Sequence, residues 1–135
     1  MSNIDALNIV LAGEYAAIYA YGVIGAHLKG AEETRALTVM AGHRQKRDQL
    51  RAKIIAGGGT PVAAAAIYDL PAEVRTSTQA RELAALVEDR LSGQWAGVAA
   101  ASIDADRATA ALVAVECSVR STSWNGKAPI WPGAS

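Results

Sequence analysis

An all-α bundle is the fold class the sequence predicts, and three observations carry it. Alanine is abundant, phenylalanine is absent and alternating β-branched runs are missing, so intrinsic propensity leans to helix along almost the whole chain. Apolar residues recur every three to four positions in four long segments. Glycine, proline and capping residues punctuate those segments.

The first helix is expected over residues 4–28. It opens on the Ser2-x-x-Asp5 capping pattern, carries Ile4, Leu7, Leu11, Ile18, Tyr21 and Leu28 along one side, and stops at Lys29-Gly30. The second runs from Ala31 to Ala56, with Glu32 and Glu33 in its first turn and Arg51 and Lys53 in its last, as the helix dipole favours. Gly57–Gly59 and Pro61 end it.

The stretch GGGTPVAAAAIYDLPAEVRT that follows is too long for a tight turn. It is long enough to travel the length of a bundle, with a short helical piece expected over Val62–Ile67. The third helix begins at the Thr76-x-x-Gln79 capping pattern and continues to Ala101, with Leu83, Val87, Leu91, Trp95 and Val98 on one side. The fourth follows Ser102, places Asp104 and Asp106 in its first turn, turns Thr109, Leu112 and Val119 inward and stops at Asn125-Gly126. Two hairpins joined by one long connection give a ferritin-like four-helix bundle with the crossover between helices 2 and 3. Helices of about 25 residues are roughly 37 Å long, a span that the connection covers.

Composition narrows the function classes. The 135 residues fit a single domain, 1–135. Lys+Arg and Asp+Glu both number 13, a balance that argues against a nucleic-acid partner. The single Cys117 forms no internal disulfide and has no zinc-ligand spacing. The opening MSNIDALN lacks the basic and apolar regions of a signal peptide, and charged residues interrupt the apolar stretches, so a cytoplasmic protein without a membrane span is expected. Gly57–Gly59 lacks the strand and the Lys-Ser/Thr ending of a phosphate loop.

Several charges break the apolar pattern. Glu14 falls on the core stripe of helix 1, and helix 2 reads Ala36, Met40, His43, Arg47, Leu50, Ile54, with two polar residues in mid-stripe. Counting from the hairpin turns places Glu14 opposite His43, and Glu88 opposite Glu116, at one level of the bundle. Tyr21, Met40 and Val119 would wall that centre. Buried ions persist only when paired, hydrated or metal-bound. The preferred reading is an ion-paired cluster neutralised by Arg47, with Arg44 or Arg120 in support. A metal site and a small-molecule pocket are the alternatives.

The runs GEYAAIYAYGVIGAHL, GHRQKRDQLRA, YDLPAEV, SVRSTSWNG and the closing WPG resemble an uncharacterised actinobacterial family placed in the ferritin-like superfamily. That resemblance implies a comparison with di-iron members, which use a Glu from each of two helices and a Glu-x-x-His pair from each of the other two. Glu14 and Glu88 match the lone glutamates. The pairs read Met40-x-x-His43 and Glu116-x-x-Val119, so two of the six ligands are missing.

A non-catalytic structural or ligand-binding module with a degenerate di-iron site is therefore expected, with no catalytic residue and no resident cofactor. Iron or manganese would be held, if at all, by Glu14, His43, Glu88 and Glu116. A metal-dependent oxidase or hydroxylase with an incomplete ligand set, and a partner-binding adaptor, are the other readings. Fold analogy suggests a homodimer, and the tail around Pro129–Pro132, with Trp131, is expected to pack back onto the bundle.

Overall fold

The computed structural model describes residues 1–126; the expected packing of the tail lies outside the described residues. Four helices account for the fold: α1 (Asn3–Ala26), α2 (Gly30–Ala56), α3 (Ser77–Ala100) and α4 (Asp104–Asn125). Among the described residues there is no strand. The chain forms the expected all-α bundle, with its long crossover between α2 and α3. Both hydroxyl caps are in place. The Ser2 side chain accepts from the Asp5 N–H, and the Thr76 side chain accepts from the Gln79 N–H.

The two hairpins repeat one another at a constant sequence offset. Ser2 and Thr76 start them, Glu14 and Glu88 lie at the same depth, and His27 and Ala101 close α1 and α3. Gly30 and Asp104 then enter the next helix at φ 59° and 52°. The left-handed region is strained for an L side chain, so Gly suits the first of these turns and Asp tolerates the second. In the bundle the α1 backbone runs close to those of α2 and α3, and the α3 backbone to that of α4, while α2 and α4 meet through side chains such as Arg35 with Ser123 and Lys53 with Asp106.

Small side chains decide which face of α4 turns inward. Ala110, Ala114, Cys117 and Ser118 are buried with Val113 and Trp124, bringing the α4 backbone close enough to α3 for two direct bonds. Ser92 Oγ donates to the Ala114 carbonyl at 3.0 Å, and Ser121 Oγ to the Ala85 carbonyl at 2.7 Å. The expected inward stripe is thereby corrected: Thr109 is exposed, and Leu112 and Val119 are 60 % and 53 % exposed. Bulkier side chains on the α3 side would hold the helices apart.

The crossover is irregular throughout, without the expected helical piece over 62–67. Its backbone groups turn to α1 instead. The Asn8 side chain donates to the Thr60 carbonyl at 3.1 Å and accepts from the Val62 N–H at 2.9 Å. Farther along, the Tyr68 ring packs against Tyr19 at 5.8 Å between centroids. Helix α1, although interrupted by Asp5 and Glu14 as expected, is long and apolar enough to cross a membrane by length and composition, with mean hydropathy 1.5. Half of that window is buried inside the bundle, so packing accounts for much of its apolarity.

Among the glycines inside the helices, Gly13 admits the Gln94 side chain of α3 into the space a Cβ would fill. Gly42 faces open space, and nothing in the structure explains it.

Candidate functional site

At mid-bundle the four helices contribute to one polar centre. From α2, the His43 Nδ1 lies 2.8 Å and 3.0 Å from the two carboxylate oxygens of Glu14 on α1. Its Nε2 lies 2.8 Å from Glu88 Oε2 on α3. From α1, the Tyr21 hydroxyl donates to the same Oε2 at 2.6 Å. From α4, Arg120 donates to Glu88 Oε1 at 2.8 Å, and Trp124 Nε1 donates to the Tyr21 hydroxyl at 3.1 Å. Glu14 and Glu88 are fully buried, and His43 nearly so.

The electrostatics follow from that geometry. Burial by itself would push the His43 imidazole down, but its hydrogen bonds to Glu14 and Glu88, with their charges, outweigh burial and raise it to about 9. His43 is thus an imidazolium at neutral pH and donates from both ring nitrogens. The two carboxylates differ. Burial raises Glu14, which has His43 as its close partner. Burial opposes ionisation of Glu88 too, yet His43, Arg120 and Tyr21 together hold it below the usual carboxylate range. Two carboxylates face two cations, so the centre is charge-balanced, as buried ions require. Burial also raises the Cys117 thiol and, more strongly than any other cause, the Tyr21 hydroxyl.

Among the residues singled out from sequence, the structure brings together Glu14, His43, Glu88 and Tyr21. It does not place Arg47 or Glu116 with them. The Arg47 guanidinium, 31 % exposed, pairs with its neighbour Asp48 at 2.9 Å. A long stem lets its charge reach solvent, and beside the His43 cation a second one on α2 would be repelled. Glu116 is exposed because the small-residue face of α4 turns inward. Arg120, one turn further on, supplies the cation from α4. Of the expected walls, Met40 packs against the core and Val119 points outward. Tyr21 is a hydrogen-bonding member of the centre rather than a wall. Sequence offered one signal for this: Tyr21 lies two turns from Glu14 on the same stripe.

The donor set does not fit a metal ion. With hydrogens on both ring nitrogens, His43 offers no lone pair to a cation, and Arg120 adds positive charge against Glu88. Among the described residues, no group of three or more His, Cys, Asp or Glu side chains is arranged to hold a metal.

Fold and site define an all-α bundle with a buried, charge-balanced centre. The chain belongs to the family of the domain of unknown function DUF4439, whose model matches residues 6–135. It is similar to a conserved hypothetical protein from Mycobacterium tuberculosis with a crystal structure, at 32% identity and TM-score 0.87 over 92% of this chain and 95% of that one. No curated protein matches the chain.

Proposed function

We propose that this protein is a ferritin-like bundle acting as a non-catalytic structural or binding module. Its Glu14–His43–Glu88–Arg120 network occupies the position where di-iron members of that superfamily hold metal. The observation that carries this reading is the use of both His43 ring nitrogens by carboxylates from two different helices. Charge that would otherwise attract a cation is neutralised internally. Each bond spans a helix pair, α1 to α2, α2 to α3 or α3 to α4, so the network fixes the helices in one register.

Elemental analysis of protein purified without chelator tests the reading. Iron and manganese well below one equivalent are expected, with no loss of folded protein on dialysis against a chelator. Near-stoichiometric metal that disappears in His43→Gln would overturn it and restore the incomplete oxidase or hydroxylase reading.

A further inference from the structure

The internal repeat leaves the two ends of the α2–α4 seam unequal. At one end Trp124 of α4 fills the seam. Its indole donates to the Tyr21 hydroxyl at 3.1 Å and lies under the Arg35 guanidinium at 4.0 Å. The offset that relates Glu14 to Glu88 relates Tyr21 to Trp95, Arg35 to Thr109 and Trp124 to Leu50. All three counterparts line a groove of about 180 Å³ at the other end of the seam. There Leu50 stands where the first end has an indole, and Thr109 where it has an arginine. The groove is the room those smaller side chains leave.

Its chemistry is specific. The floor is apolar, made by Leu7, Leu50, Val98 and Val113 with the Trp95 indole. Trp95 is 6% exposed, and its N–H is buried without a hydrogen-bond partner, whereas its counterpart Tyr21 has partners on both sides. Burying such a donor unpaired is costly. The rim carries Lys46, Gln49, Lys53 and Asp106. Asp106 is neutralised by Lys53 at 2.6 Å, leaving Lys46 as the positive charge at the mouth without an acidic partner among the described residues.

We propose that this groove binds a small aromatic carboxylate. The ring occupies the place that the Trp124 indole takes at the other end, against Leu50, Trp95 and Val113, and the carboxylate pairs with Lys46. The volume favours one ring, since a cavity of about 150 Å³ accommodates benzene. The site is separate from the His43 centre, and the proposal stands whether or not that centre binds metal.

Benzoate is the probe, and the readout is the indole N–H resonance missing from Trp95→Phe in a ¹⁵N-correlated NMR spectrum. Benzoate should shift that resonance saturably in the millimolar range, and more tightly than benzyl alcohol or hexanoate. Lys46→Met should weaken binding about two- to fivefold, the value of one surface ion pair. Leu50→Trp, which fills the groove as Trp124 fills its counterpart, should abolish binding while helical circular dichroism is retained. The proposal is overturned by the absence of a saturable shift, by hexanoate or benzyl alcohol binding as tightly as benzoate, or by unchanged benzoate affinity in Lys46→Met. That last variant changes a half-buried residue at the rim and keeps the test valid should Leu50→Trp not fold.

Discussion

His43 Nε2 lies 2.8 Å from Glu88 Oε2 in the centre of the bundle, joining α2 to α3 although the two helices are separated in sequence by the whole crossover. Removing the cation of that pair leaves Glu88 and Glu14 buried with one cation, Arg120, between them. His43→Leu should therefore destabilise the protein by about 3–5 kcal/mol, the cost of stranding a buried ion. Glu14→Gln keeps the size and one acceptor, and should cost less, about 1–3 kcal/mol. Urea unfolding of the two variants checks the order.

The same pair makes stability depend on pH. His43 ionises near 6.5 when unfolded and near 9 in the fold, so its stabilisation is fully present below about pH 6.5 and is lost as pH rises through about 9. The shift corresponds to a loss on the order of 3 kcal/mol across that window. Cys117 and Tyr21 are raised and leave the window to His43. His43→Gln should flatten the slope in unfolding experiments run from neutral pH to above 9; an unchanged slope would assign it to another group.

The two arginines give a register test. Arg120→Met should cost about 2–4 kcal/mol because Glu88 loses its second cation in a buried setting, discounted for the partly exposed guanidinium. Arg47→Met and Glu116→Ala should each change stability by less than about 0.5 kcal/mol, as surface substitutions do. Thermal unfolding of the three variants separates this register from one with Arg47 and Glu116 inside.

Asn8 pins the crossover to α1 through two bonds to backbone groups. Asn8→Ala should cost about 1–2 kcal/mol and make residues 60–70 the first site of limited proteolysis. Cleavage elsewhere, at an unchanged rate, would show that Asn8 does not hold the segment.

What the sequence made legible follows from these contacts. Four helices, both hydroxyl caps and the long crossover could be read because caps, glycines and periodicity act locally. Glu14 and His43 could be read because each interrupts an apolar stripe, and turn counting gave their depth. Rotation of α4 could not be read that way. Its large apolar residues, Leu112 and Val119, define one face, while Ala110, Ala114 and Ser118 define the face that α3 requires, and only the closeness of the partner helix decides between them. Arg47 was misleading for a related reason: a stripe position fixes where the Cβ points and leaves a long side chain free to carry its charge elsewhere. The inequality of the two seam ends needed three dimensions, since it depends on Trp124 and Leu50 being counterparts across the bundle.

The protonation state of His43 tests the central claim most directly. In ¹⁵N-resolved NMR of the imidazole at neutral pH, both ring nitrogens should carry protons, and the ring should titrate near 9 rather than near 6.5. A neutral tautomer at pH 7, with one nitrogen free to coordinate, would contradict a centre closed by an imidazolium between Glu14 and Glu88.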